Sequence, residues 1–206
     1  MFNVCPHCGH YAVEKEIDPA GPVAICPTCQ QRIPFVQAPL FVITGASGAG
    51  KSTVCAALTG TMSDTVFMEV DILWQPAFDT PQDDYRGFRD GWLRLAKNIS
   101  QNGPQVVLCG SAVPNQYERS AERRYFSQIH YLALICAAAT LTARLQARPT
   151  WRQSSDAAFI ERMLAFNQWF IDHAAQTDPP LTLLDTTALT ITESTDFIRT
   201  WIQSCL

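Results

Sequence analysis

The sequence predicts a three-layer αβα domain built on a five-stranded, mostly parallel sheet, preceded by a small ribbon that a metal must order. From Leu40 onward, short β-branched runs alternate with longer amphipathic stretches, the order that βαβ crossovers produce. The 206 residues are 47% hydrophobic and 17% charged, enough apolar material for a sizeable core. Residues 1–38 break that rhythm. They hold two Cys-x-x-Cys pairs and five prolines, with few helix-like patterns.

Taken in order, LFVIT (40–44) reads as a buried strand, followed by TVFMEV (65–70), QVVLC (105–109), IHYLALIC (129–136) and LTLLD (181–185). Helical patterns fill the intervals: 51–60, about 83–101, about 115–126, 138–147, about 156–175 and 192–204. QAPL (37–40) is the expected linker, dividing the chain into 1–38 and 39–206.

The charge balance excludes some partners. With 15 Lys+Arg against 19 Asp+Glu the net charge is −4, which creates no field for a phosphate backbone. Residues 1–38 carry only Lys15 and Arg32 against Glu14, Glu16 and Asp18, so nucleic acid is not an expected partner of the ribbon either. No apolar run approaches the roughly 18 to 20 residues that span a bilayer, and the first residues show no basic segment leading into an apolar one. A cytoplasmic protein without membrane contact is expected. Cys55, Cys109, Cys136 and Cys205 lie among apolar residues, where reduced thiols act as small hydrophobes.

Gly45-Ala46-Ser47-Gly48-Ala49-Gly50-Lys51-Ser52, followed by Thr53, matches G-x-x-x-x-G-K-[ST] between a strand pattern and a helix pattern. The glycines let the backbone turn its N–H groups inward, and the helix that follows presents its positive end to the same phosphates. Lys51 is expected to bridge the β and γ phosphates, and Ser52 to ligate Mg²⁺. The third strand ends without an acid, whereas Glu69 and Asp71 stand at the end of the second. Two apart on a strand, they share a face. Glu69 is assigned to Mg²⁺ through water and Asp71 to the acceptor's proton, with the reverse assignment open.

Mobile arginines neutralise a phosphoryl group in flight. Arg144 and Arg148 are four apart on one helix face, and Pro149 ends that helix before Arg152. With GASGAGKST, EVD, RLQARPTWR and LLDTT (183–187) in place, residues 40–204 resemble the P-loop small-molecule kinases: the adenylate, shikimate and gluconate kinases and the antibiotic phosphotransferases. The resemblance implies a P-loop nucleoside triphosphatase fold, ATP and Mg²⁺, and γ-phosphoryl transfer to a small hydroxyl-bearing or nucleotide acceptor. It implies that Arg144 lies against the adenine, that Arg148 and Arg152 reach the transferred phosphate, and that Asp185, Thr186 and Thr187 border the base.

The chain departs from adenylate kinases after the third strand, where Cys109-Gly110-Ser111-Ala112-Val113-Pro114 replaces the expected acid and Gly-Phe-Pro-Arg segment. Arg86 and Arg89, or Arg119 and Arg123, are the substitutes available, and Trp74, Phe78, Tyr85, Phe88 and Trp92 lie where such kinases build the acceptor pocket.

Cys5, Cys8, Cys26 and Cys29 give C-x2-C-x17-C-x2-C, the spacing of a zinc ribbon with four thiolates on a structural Zn²⁺. His7 and His10 are bystanders to a site that four thiolates close. Packing or homo-oligomerisation is the role expected of the ribbon. The competing reading is a nucleotide-dependent switch whose ribbon engages a macromolecule.

Overall fold

The computed structural model describes residues 3–152 and 154–206. Five strands, β4 (Leu40–Gly45), β5 (Thr65–Glu69), β6 (Gln105–Cys109), β7 (Ile129–Ile135) and β8 (Leu181–Asp185), form one fully parallel sheet in the order β5-β6-β4-β7-β8. All six residues of the central β4 are buried, as a strand covered on both faces requires. Alternation along the strands divides the core. Leu40, Val42, Val106, Leu108 and Tyr131 face helices α2 (Arg86–Ser100) and α5 (Ala157–His173), while Phe41, Ile43, Val107, Leu132 and Leu134 face α1 (Lys51–Leu58) and α6 (Ile191–Ser204). The remaining helices, α3 (Pro114–Glu118) and α4 (Ala138–Gln146), flank the carboxyl ends of the strands.

Local chemistry explains the helix ends. Asp156 caps α5 by accepting from the Phe159 N–H at 2.8 Å, and Thr190 and Glu193 form a reciprocal capping box on α6. In α2 the buried residues Arg89, Trp92, Leu93, Ala96, Lys97 and Ser100 recur at three- and four-residue spacing, one face of a helix.

Three elements differ from the sequence expectation. The second strand ends at Glu69, and Val70–Leu73 form a 3-10 turn, so Asp71 leaves the strand on a turn and does not share its pleat. Val70 turns inward over Gly110, where a Cβ would meet the Val70 Cγ2 at 1.9 Å; only glycine admits this approach. The expected helix over 115–126 divides into α3 and a 3-10 turn, Ala121–Tyr125. Ser120 caps that turn through the Glu122 N–H, and the Glu122 side chain is drawn inward to Lys97. Helix α2 begins at Arg86 and not near 83, because Asp84 and Tyr85 sit at φ of 57° and 55°, outside helical geometry.

Residues before β4 form a three-stranded antiparallel sheet, β1 (Glu16–Ile17), β2 (Val23–Ile25) and β3 (Arg32–Pro34). This unit is docked by a polar cluster in which Asn3, Lys97 and Glu122 are buried. Lys97 Nζ donates to Asn3 Oδ1 at 2.8 Å and to Glu122 Oε2 at 2.5 Å, and Arg94 Nε donates to Glu122 Oε1 at 2.9 Å. Tyr125 donates its hydroxyl to the Val13 carbonyl at 2.7 Å and packs edge-on against Phe35. Among the described residues, no helix is long and apolar enough to cross a membrane.

Candidate functional site

The loop between β4 and α1 curls over the first turn of the helix it precedes. Gly45, Gly48 and Gly50 have φ of 137°, 96° and 111°. A Cβ on Gly45 would lie 2.4 Å from the Leu134 carbonyl oxygen, so the loop passes β7 more closely than any side chain permits. Lys51 folds back over the loop, its Nζ donating to the Gly45 and Ala46 carbonyls at 2.8 and 3.0 Å. Desolvation pushes its pKa down to about 8, opposed by Asp71 and reinforced by Arg148. An ammonium enclosed in this way lacks a full countercharge.

A cavity of about 360 Å³ opens beside this loop. Gly48, Ala49, Gly50, Lys51, Ser52 and Thr53 line one side, and Arg144, Arg148 and Thr186 line another. Arg144 is fixed by two bonds to Thr186, to Oγ1 at 3.0 Å and to the carbonyl at 2.8 Å. Ala46 is fully buried beneath the loop and belongs to its packing. Asp185 and Thr187 are not among the lining residues. The Thr187 N–H and hydroxyl both donate to Asp185 Oδ1, at 2.9 and 2.5 Å, and the Thr187 hydroxyl accepts from the Ala137 N–H at 2.8 Å, so the pair shapes the turn that presents Thr186. Val54, Leu189, Ile191 and Ser194 complete the wall, positions that sequence reasoning missed. Ile191 opens α6 with its side chain 54% exposed, on the cavity wall and outside the core.

A second cavity, of about 530 Å³, collects the charged residues. Glu69, Asp71, Arg148, Arg152 and Ser47 line it, with Trp151 and Phe159, two residues the sequence did not single out. The Ser52 hydroxyl donates to Glu69, and Arg148 Nη1 donates to Ser47 Oγ at 2.9 Å. Burial and the neighbouring Arg152 both lower the Arg148 pKa, so the two guanidinium groups repel unless an anion lies between them. Arg152 rests over the Trp151 ring at 4.9 Å from its centroid.

Asp71 also lines a third cavity, of about 220 Å³, with Trp74, Tyr85, Phe88, Arg89 and Tyr117. Its turn is held from behind: Trp92, fully buried, donates its indole N–H to the Val70 carbonyl at 3.1 Å. Phe78 packs on Phe88 within the same aromatic set. Arg86 and Arg119 line a separate acidic surface hollow with Asp83, Asp84 and Asp90, and Arg123 pairs with Glu118 at 2.6 Å. Of the four arginines weighed as substitutes, only Arg89 stands beside Asp71.

This loop, sheet order and arginine-bearing helix together define the architecture. The chain has the P-loop kinase fold. Its structure is similar to that of a sugar kinase from Janibacter sp. HTCC2649, with a TM-score of 0.56 and 19% identity over 81% of this chain and 95% of that one. It is likewise similar to a gluconokinase from Sinorhizobium meliloti 1021, with a TM-score of 0.51 and 18% identity over 78% and 89% of the two chains. No protein-family model and no curated protein sequence matches this chain.

At the other end of the molecule, the Sγ atoms of Cys5, Cys8, Cys26 and Cys29 all lie within 4.8 Å of one another. Cys5 and Cys29 are 3.7 Å apart, as are Cys8 and Cys26. A tetrahedron with metal–sulfur bonds of about 2.3 Å has edges of about 3.8 Å, so the cluster fits a zinc-sized ion. Backbone N–H groups of Cys29 and Thr28 lower the Cys26 thiol to about 6, and those of Cys8 and His7 lower Cys5. The first cysteine of each knuckle thus favours the thiolate that a metal needs, whereas burial and the neighbouring thiols push Cys29 up to about 12. His7 and His10 are exposed and outside the cluster.

Proposed function

We propose that the protein is an ATP-dependent phosphotransferase that moves the γ-phosphoryl group to a small hydroxyl-bearing or nucleotide acceptor. The observation that carries this reading is the position of Asp71 in the wall of two cavities, one lined by Arg148 and Arg152, the other aromatic. A carboxylate there meets an acceptor hydroxyl from one side and a transferring phosphoryl group from the other. A switch or simple hydrolase has no need of the aromatic cavity.

In this mechanism the 48–53 backbone and Lys51 hold the nucleotide phosphates, and Arg144 and Thr186 border the base. Ser52 and Glu69 would hold Mg²⁺, which when bound would neutralise part of the phosphate charge. Asp71 accepts the proton of the acceptor hydroxyl as that oxygen bonds to the γ-phosphorus and the bond to the ADP oxygen breaks. Arg148 and Arg152 close over the equatorial oxygens and exclude water, which favours transfer over hydrolysis. The four-cysteine cluster would hold a structural Zn²⁺, since residues 3–36 contribute too small a core to order themselves.

The test is ADP release by the purified chain with Mg-ATP, with and without a pool of sugars, sugar acids, nucleosides and nucleotides. Acceleration by a small molecule, with the label of γ-phosphate-radiolabelled ATP recovered on it, supports the proposal. Acceleration only by a macromolecule, with label released as phosphate, overturns it in favour of the switch.

A further inference from the structure

Lys15 is a fully buried cation without a carboxylate of its own. Its ammonium donates to the Asn3 and Ala12 carbonyls at 3.1 and 2.6 Å. The Ala12 N–H donates to the same Asn3 carbonyl at 2.8 Å, and the Cys5 N–H donates to the His10 carbonyl at 2.9 Å. The ammonium therefore spans the neck of the hairpin that carries Cys5 and Cys8. Among the described residues, no carboxylate oxygen lies within 4.0 Å of it. Glu122, the buried acid of this region, is already committed: Oε2 accepts from Lys97, and Oε1 accepts from Arg94 and from Asn3 Nδ2 at 3.3 Å. Neutral carbonyls satisfy the hydrogen bonds of an ammonium but do not cancel its charge, and a buried charge left without an opposite one is costly.

The four-cysteine cluster has an inner and an outer side. Cys5 and Cys26 are buried, Cys29 is partly exposed and Cys8 is exposed. Four thiolates around a divalent ion carry a net charge of −2, and the inner half of that charge faces protein in place of water. Burial lowers the Lys15 pKa, and the thiolates of Cys26 and Cys5, the two inner ones, oppose that fall ahead of Glu122. Lysine and inner thiolates are thus desolvated charges of opposite sign on the same side of the ribbon.

We infer that Lys15 is the buried countercharge of the metal–thiolate cluster and makes this site selective for a divalent ion. The inference rests on the reading of the four cysteines as a metal site and is independent of the phosphotransferase reading. A cation at this place stabilises a cluster of charge −2 more than the cluster of charge −1 that a trivalent ion would form. Lys15 acts through space and not as a ligand, so it is a positioning residue for the metal. It also joins the metal to the docking face: the Asn3 carbonyl holds Lys15, while the Asn3 side chain holds Lys97 and Glu122.

The experiment reads the charge directly. Zinc has no redox couple, so the full chain is loaded with iron as a probe, and the potential of its one-electron couple is measured by voltammetry. The electrode supplies one electron, which takes the ferric cluster of charge −1 to the ferrous cluster of charge −2. Lys15→Met should lower the equilibrium constant for that reduction by about tenfold or more, a fall in potential of about 59 mV or more. Lys15→Arg keeps the charge and should hold the potential near wild type even where its bulk weakens metal binding. Competition with a chromophoric chelator should show zinc bound about ten- to a hundredfold more weakly by Lys15→Met. Arg32→Met removes an exposed cation of the same ribbon, paired with Asp18, and should leave zinc affinity unchanged.

An unchanged or raised potential in Lys15→Met would overturn the inference, as would an equal loss of zinc affinity in Arg32→Met. A cobalt-loaded Lys15→Met chain whose absorption differs from wild type would overturn it too, because the lysine would then shape the ligand geometry and not balance its charge. Should Lys15→Met take up no iron, the zinc affinity of Lys15→Arg decides: retention within about tenfold of wild type supports the countercharge, and loss in both variants overturns it. Failure of the metal reading itself looks different, since the wild-type chain then takes up neither zinc nor iron.

Discussion

The Ser52 hydroxyl donates a hydrogen bond to the Glu69 carboxylate, which ties the first turn of α1 to the carboxyl end of β5. Two oxygen ligands of the kind Mg²⁺ requires are therefore already in contact without a long side chain having to move. Ser52→Ala and Glu69→Gln should each weaken Mg-ADP binding by about tenfold or more, while metal-free ADP binds within about a factor of three of wild type. Calorimetric titration with and without Mg²⁺ separates the two effects. An equal loss in both titrations would assign these residues to the loop's architecture and not to the metal.

Asp71 is expected to affect turnover and not nucleotide affinity. Asp71→Asn should lower kcat for phosphoryl transfer by roughly 10² to 10⁴, with Mg-ATP affinity within a few-fold of wild type. Loss of Mg-ATP binding with transfer otherwise intact would exchange the roles of Asp71 and Glu69. The residue's place on a 3-10 turn makes it sensitive to its support. Gly110→Ala should lower activity although Gly110 touches neither cavity, because a Cβ there displaces Val70 and the turn with it.

The order of strands and helices is legible because strand and helix periodicities are local and this sheet is buried on both faces, so β4 reads as an unbroken apolar run. The loop 45–52 and the four cysteines are legible because their chemistry depends on spacing. What the sequence conceals is set by contacts between distant segments. Strand alternation brings Asp71 to the site by a face shared with Glu69; the residue in fact reaches the site by a turn that Gly110, some forty residues on, permits. The family resemblance sets Asp185 and Thr187 beside the base, but of the three only the intervening Thr186 lines the cavity beside the 45–52 loop. Helical spacing does not distinguish Arg89 from Arg86, and burial against Tyr85 and Tyr117 does.

Nucleotide binding should be linked to proton uptake through Lys51. Its pKa of about 8 in the free protein lies below the ordinary 10.5, and nucleotide phosphates favour the charged form. Affinity is therefore full below about pH 8 and declines as pH rises past it. The sign for stability is opposite: between about 8 and 10.5 the unfolded chain holds more protons, so this group contributes stability that increases with pH. Calorimetry of a non-hydrolysable ATP analogue at pH 9, in buffers of different ionisation heat, should show roughly 0.9 proton taken up per nucleotide, against about 0.1 at pH 7. In Lys51→Met the uptake at pH 9 should vanish. Wild-type binding without it would mean that the lysine is already relieved by another anion.

Helix α2 joins the ribbon to the aromatic cavity. One end of this helix carries Phe88 and Arg89; the other carries Lys97, which donates to Asn3 of the ribbon, and leads into Gln101, which donates to the Val36 carbonyl, while Arg94 holds Glu122 beside Lys97. Glu122 and Lys97 are 0% and 1% exposed at the side chain, and Lys15, fully buried on the ribbon side, donates to the Asn3 and Ala12 carbonyls. Removing one member of such a buried group strands the other charges, at a cost of about 3 to 5 kcal/mol. Lys97→Met should therefore lower the denaturation midpoint strongly, and Lys97→Met with Glu122→Leu should recover much of the loss, because the pair is removed together. Chelating the metal should release the ribbon's hold on α2 and raise the acceptor KM, while the affinity for Mg-ATP stays within a few-fold, since Lys51, Arg144 and Thr186 belong to elements outside the ribbon network. A rise in acceptor KM that zinc reverses would show that the ribbon positions the acceptor helix. Unchanged kinetics in the metal-free chain would reduce the ribbon to an appendage whose buried contacts contribute stability alone.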